Sequence, residues 1–253
     1  MTLFLAKLTL TPLIMYLTSA AGRRWGPGVS GWLTGLPLLA GPVSVFVCIE
    51  QGPAFAGHAA GSTLLGMWSS CAFCLAYHAL AKHGWIAASL ASVVAFAAAT
   101  SLLNTVTLPP WLGLIGVFIG AQLCLRLIPA PAAVGGNATP PSWDMPARLA
   151  IAAGFVLVQT ALAGWLGPQL SGLVTPFPIV VILLTAFAHH QLGQAGATRV
   201  LRGFLIGMYA FAAFFFIVAA GMERIGAAAS YLLGLVACLA INGLTLWRLR
   251  ARL

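Results

Sequence analysis

The sequence predicts an all-α membrane protein of about nine transmembrane helices in a 4+1+4 inverted-repeat arrangement. Three observations lead there. Hydrophobic residues make up 61% of the 253 positions and charged residues 6%, with a mean hydropathy of +1.01, which leaves too little polar surface to cover a soluble globule. The apolar residues fall into runs long enough to cross a bilayer. One stretch of the chain also reads again, without a gap, 141 positions later.

Apolar runs bounded by Gly/Pro turns or charges give spans near 2–20, 31–49, 60–80, 85–104, 109–128, 147–166, 171–190, 199–220 and 226–247. The first run exceeds a signal-peptide core, carries Lys7 and has no convincing small-residue cleavage site, so it is read as a retained helix. Residues 129–146, PAPAAVGGNATPPSWDMP, form the one sizeable polar, Pro-rich segment. They are expected to be a cytoplasmic linker between 1–128, the first repeat with connecting helix five, and 147–253, the second repeat.

The duplication aligns Gly26, Pro27, Ser30, Gly31, Thr34 and Pro37 with Gly167, Pro168, Ser171, Gly172, Thr175 and Pro178. Further on, Gly52, Leu64, Gly66, Met67 and Phe73 meet Gly193, Leu205, Gly207, Met208 and Phe214. Apolar composition inflates chance matches of Leu and Ala, but not an ordered run of Gly, Pro, Ser and Thr. Five crossings before the second copy begins make it enter from the opposite face.

The net charge of +9 is carried by small basic groups between apolar runs, not by one stripe, which argues against nucleic-acid binding. With the N-terminus outside, the cytoplasmic side receives Arg23, Arg24, Lys82, Arg126, Arg148, Arg199, Arg202, Arg248, Arg250 and Arg252. Only Lys7 and Arg224 stay outside, so ten of the 12 Lys and Arg residues obey the positive-inside rule. A bacterial inner membrane and a cytoplasmic C-terminus are the expected setting.

Helices two and seven, SGWLTGLPLLAGPVSVFVCIE and SGLVTPFPIVVILLTAFAHHQ, are where a pathway is expected. Proline lacks an amide proton and clashes with the preceding turn, so Pro37 with Gly35, and Pro178 with Pro176, should break or kink them. Matched interruptions in two halves point to a transport site, because freed backbone groups are tolerated only where protein or water satisfies them. The predicted pathway comprises Thr34, Gly35, Pro37 and Ser44 of the first copy and Thr175, Pro176, Pro178 and Thr185 of the second, with Gln159 and Asn242 facing the bundle interior. Ser62 with Gly66, and Gly203 with Gly207, should mark close helix contacts.

Ionisable groups are scarce: three acids, none in the middle of a predicted span, which weighs against a proton pump or cation antiporter. Lys7, Glu50, Arg148 and Gln191 lie near span ends and are gate or charge candidates; the same basic groups also suit snorkelling to headgroups. Cys71, Cys74 and His78 share one helix face and offer soft ligands. Their counterparts are Ala212, Phe215 and Ala219 and no fourth ligand is evident, so no metal and no cofactor are expected. A P-loop, a GxSxG elbow and an HExxH motif are all missing, and no catalytic residues stand out.

In the second half, Gly172, Leu173, Phe177, Pro178, His189 and Tyr209 form a pattern of Gly-Leu-x-x-x-Phe-Pro, a histidine-bearing helix end and an aromatic-rich helix. It resembles the small GlpM-like bacterial membrane proteins over roughly 100 residues, and the first half does so more weakly, with Leu36 in place of the Phe. The resemblance implies two fused copies of an inner-membrane family and brings no catalytic residues with it.

The expected function is transport of a small solute or amphiphile by alternating access between inverted repeats. A non-catalytic scaffold of an envelope or lipid pathway and a lipid flippase are the alternatives. Membrane lipids and an unidentified small molecule are the expected partners, with homodimerisation left open.

Overall fold

The computed structural model describes residues 27–34, 36–38, 40–131 and 144–250, with a few isolated positions before them. For some of these, Arg148 and Gln159 among them, only the backbone is described. Lys7, Gly35 and linker residues 132–143 lie outside the described residues. Every regular element among the described residues is helical: α1 Pro27–Thr34, α2 Ala40–Gln51, α3 Pro53–Leu80, a 3-10 turn at Ala81–His83, α4 Trp85–Leu103, α5 Pro110–Leu127, α6 Asp144–Val174, α7 Ile179–Gly221 and α8 Ala227–Arg250.

Five of the described helical segments are long and apolar enough to cross a membrane: Pro53–His83, Trp85–Leu103, Pro110–Leu127, Ile179–Gly221 and Ala227–Thr245. The chain is an α-helical, multi-pass membrane protein. Helices α3 and α7 are its centre, with 61% of their apolar windows buried against 22% for α4, α5 and α8. The three peripheral helices instead turn outward stripes at roughly four-residue spacing: Ile86, Leu90 and Val94; Trp111, Ile115 and Ile119; Leu232, Val236 and Leu239. That is the spacing of one helix face, and an apolar outer face is stable when lipid covers it.

Helix α7 has 43 residues, which at 1.5 Å each is roughly 65 Å, about twice the hydrocarbon thickness. It is not straight. Gly193, at φ 66° and ψ −166°, turns the chain into a second segment. Gly167, at φ 73° and ψ 170°, does the same inside α6, and Pro168 then opens the next turn. Only glycine reaches this backbone region without strain, and Pro fits the first turn of a helix because its missing amide proton is one that the helix cannot use.

Three predicted boundaries are corrected. The span placed at 60–80 starts at Pro53, immediately after Gly52 at φ 91°. The connection expected between 190 and 199 is a single-residue turn at Gly193 rather than a loop. The span placed at 31–49 is split into α1 and α2 by residues around Pro37. In each case glycine and proline decided the boundary.

Contacts fix the directions of the central helices. A Cβ on Gly57 would stand 3.2 Å from Met222 Cβ, and one on Gly61 4.0 Å from Ala219 Cβ, so α3 and the second segment of α7 run antiparallel. Helix α5 lies along α3 in the same direction, with Gly113 against Leu64, Gly116 against the Trp68 indole and Gly120 against Cys71 Sγ. Against α7 it is antiparallel. The Tyr209 hydroxyl donates to Gln122 Oε1 at 3.0 Å, and the Arg202 guanidinium donates to the carbonyls of Leu125, at 2.7 Å, and Ile128. Arg202 thus caps the carboxyl end of α5, where helix carbonyls otherwise lack donors.

The 141-residue spacing persists in three dimensions. Gly52 and Gly193 both have positive φ, and α3 and the second segment of α7 end at Leu80 and Gly221. Gly84 and Gly226 then repeat a positive φ 142 positions apart, and each opens an apolar helix, Trp85–Leu103 and Ala227–Arg250. One residue has been inserted at that turn.

Candidate functional site: two matched helix breaks

The two breaks have the same hydrogen bonds. In the first, the Leu36 amide donates to the Leu33 carbonyl at 3.1 Å, Leu38 to Leu36 at 2.7 Å, and Gly41 to Pro37 at 2.8 Å. In the second, Phe177 donates to Val174 at 2.9 Å, Ile179 to Phe177 at 2.8 Å, and Ile182 to Pro178 at 2.8 Å. Each donor and acceptor is matched 141 positions on. The middle bond of each set spans only two residues, the tight turn used where a chain reverses local direction. Pro37 and Pro178 end the break, because a residue with φ fixed near −65° and no amide proton suits the start of the helix that follows.

The second break is seated on α3. The Ser70 hydroxyl donates to the Pro176 carbonyl at 3.0 Å, in a fully buried contact. Two glycines let the backbones meet. A Cβ on Gly66 would overlap the Leu173 carbonyl and stand 2.8 Å from Pro176 Cγ; one on Gly172 would overlap the Ala59 carbonyl and stand 2.7 Å from Ser62 Cβ. The close contact expected at Ser62 and Gly66 is therefore with the second break. Phe177 meets Phe96 of α4 edge-on, at 5.0 Å between ring centroids. The first break borders the other long helix, where Gly41, one turn after Pro37, lies 3.6 Å by its Cβ direction from the Phe214 ring. Just before it, the Trp32 indole donates to Thr245 Oγ1 of α8 at 3.3 Å.

Of the predicted pathway residues, Thr34 ends α1 half-buried, Pro37 and Pro178 are buried in the breaks, and Pro176 is buried against Ser70. The Thr175 hydroxyl turns back to the Ser171 carbonyl at 2.8 Å. Ser44 and Thr185 are buried at matching positions but differ in partners. The Ser44 hydroxyl lies 2.9 Å from the Tyr231 hydroxyl, which itself donates to the Ser44 carbonyl at 2.8 Å. Thr185 Oγ1 is buried and completes no hydrogen bond. Asn242 is buried, donates to the Cys238 carbonyl at 2.9 Å and leaves Oδ1 without a donor. Gln159 lies on α6, its side chain outside the described set.

The charge candidates sit apart from the breaks. Glu50 is exposed at the end of α2, and Gln191 is half-buried at the end of the first α7 segment. The pairing of Glu50 with Lys7 falls outside the described residues, as does the Arg148 side chain. Among the described residues no charged side chain is fully buried, so this interior is lined by neutral hydrogen-bonding groups. Cys71 and Cys74 are buried against α5, with the Cys124 thiol 3.8 Å from the Cys71 carbonyl. Their shared face does not become a ligand cluster: no three His, Cys, Asp or Glu side chains converge on a metal position among the described residues.

Sequence reasoning missed Tyr77, Ser89 and Tyr231. Tyr77 is wholly buried, with its hydroxyl 3.3 Å from His189 Nδ1. Ser89 and Tyr231 correspond only once the offset grows to 142 after the Gly84 and Gly226 turns, a shift that a constant 141-residue alignment hides. No protein-family model matches the chain, and neither a curated protein nor a solved structure matches it significantly.

Proposed function

We propose that this protein is an inner-membrane transporter of a small solute or amphiphile, working by alternating access between two inverted halves. The observation that carries the reading is the pair of helix breaks, matched bond for bond and embedded in the bundle. Interrupted helices at equivalent places in two halves are how secondary transporters expose backbone groups to a cargo while burying the rest. The antiparallel run of α3 against the second segment of α7 supports inversion, since equivalent helices related by a two-fold axis in the membrane plane must point oppositely.

On this reading the chain crosses nine times. The N-terminal apolar run, α1 with α2, α3 and α4 form one half; α5 connects; α6, the two segments of α7, and α8 form the other. The basic residues put the N-terminus outside and the C-terminus in the cytoplasm. Thr34, Pro37 and Ser44 then face Thr175, Pro176, Pro178 and Thr185 across one pathway. Two fused GlpM-like units are the proposed ancestry.

The test is cysteine accessibility at positions 34 and 175, in a variant lacking the five native cysteines, probed from each side of the membrane. Labelling that alternates between sides and responds to cargo supports transport. Fixed inaccessibility at both positions supports a scaffold, and labelling that changes only with reagents delivered through lipid supports a flippase.

A further inference from the structure

The repeat predicts a pair of equivalent hydrogen bonds between the halves, of which only one is made. At one contact between the halves, Ser44 and Tyr231 join α2 to α8 through their hydroxyls, and Cys48 lies one turn along α2 from Ser44. The equivalent positions are Thr185 and Ser89, with His189 replacing Cys48. Thr185 is 0% exposed and its Oγ1 has no partner. Ser89 Oγ is likewise buried, with the Tyr77 hydroxyl as its side-chain neighbour. A tyrosine reaches several ångströms farther than a serine, and Thr185 Oγ1, the counterpart of the Ser44 hydroxyl that Tyr231 meets, is left without a bond.

Other polar groups converge on the same place. Tyr77 of α3, wholly buried, lies beside Ser89 and is hydrogen-bonded at 3.3 Å to His189 Nδ1. His189 follows Thr185 by four residues on α7 and so shares its face. A buried hydroxyl with no partner is unfavourable by about 1–3 kcal/mol, and Thr185 is one at a position whose counterpart, Ser44, is bonded, so it calls for an occupant.

We propose that Thr185, Ser89, Tyr77 and His189 form a binding site for a small neutral solute bearing hydroxyl, carbonyl or amide groups. Hydroxyls and a neutral imidazole both donate and accept, which suits such a molecule. No fixed charge lies among the four to offset a buried ion, so a neutral cargo is favoured over a charged one. The site names the substrate class of the proposed transporter and rests on that reading. It also makes the pathway asymmetric, with a polar binding position at one contact between the halves and a closed hydroxyl pair at the equivalent contact.

The test is equilibrium binding of radiolabelled erythritol and acetamide to the intact protein in nanodiscs, with acetate as the charged comparison. Saturable binding of either neutral probe and none of acetate is expected. Thr185→Val, nearly isosteric, should weaken binding about tenfold without loss of thermal stability. Ser89→Tyr, which rebuilds the Ser44–Tyr231 arrangement, should abolish it. No saturable binding by a stably folded wild-type protein, or unchanged binding in Thr185→Val, overturns the proposal. So does a high-resolution structure with probe present that shows only a water joining Thr185 and Ser89. Binding without alternating labelling at positions 34 and 175 would keep the site and remove transport. Alternating labelling without probe binding would do the reverse.

Discussion

Replacing Gly66 by alanine tests whether the second break is held by direct backbone contact with α3. The added methyl would overlap the Leu173 carbonyl oxygen and lie 2.9 Å from its carbon and 2.8 Å from Pro176 Cγ. Ordinary carbon–oxygen contacts begin near 3.3 Å, so one backbone must move by roughly 1 Å. Neither neighbour is the far end of a flexible side chain. Overpacking of this kind costs about 1–3 kcal/mol. The same displacement loosens the Ser70 bond to the Pro176 carbonyl, one turn along α3, for about 1 kcal/mol more. The expected loss is therefore about 2–4 kcal/mol. It is read from equilibrium unfolding in mixed micelles of increasing denaturing detergent. Gly243→Ala is the comparison, because its Cβ meets nothing within 4 Å; it should gain up to about 1 kcal/mol from helix propensity. A Gly66→Ala protein within about 0.5 kcal/mol of wild type would refute the argument that the break is clamped there.

Gly52→Ala and Gly193→Ala meet no neighbouring atom within 4 Å, so their expected loss of about 1–3 kcal/mol each is purely conformational and reads the positive φ of the two matched turns. Arg202→Met removes the donor to the carbonyls of Leu125 and Ile128; hydrogen exchange should rise at the last turn of α5, and stability should fall by about 1.5–3 kcal/mol. Tyr231→Phe deletes the bridge between α2 and α8 at Ser44, for about 1–3 kcal/mol in the same unfolding assay, whereas Thr185→Val in the other half should cost little because no bond is broken.

Much of the helical plan was legible because its signals are local and strong. The spans at 85–104 and 109–128 match α4 and α5 to within a residue or two, since their flanking glycines, prolines and polar residues interrupt an otherwise continuous apolar run. Pro37 and Pro178 announced the breaks, and the structure realises both. The start of α3 was misplaced because Pro53 and Gly52 bracket a helix start inside sequence that hydropathy reads as a gap. Residues 190–199 looked like a loop because they are polar, yet the helical hydrogen bonding resumes directly after Gly193.

The candidate site was half legible. Ser44 and Thr185 could be paired by the repeat, and both are buried. Their different fates could not, because each depends on a residue from a helix distant in the sequence, Tyr231 for one and Ser89 for the other. Gly66 was read as a small residue for helix packing, but its partner is the end of α6 rather than a neighbouring straight helix. Such partners are set by tertiary packing, which a single sequence encodes only through the repeat itself.

The central claim is that the two halves enter the membrane from opposite sides, and positions 54 and 195 test it most directly. Ala54 and Ala195 are equivalent, each two residues past a positive-φ glycine at the start of a long central segment, and neither is buried. Single cysteines there, in a protein otherwise free of cysteine, can be labelled with a membrane-impermeant maleimide in intact cells and in inverted vesicles. The account predicts that position 54 reacts only from outside and position 195 only from the cytoplasmic face. Labelling of both positions from the same side would contradict it.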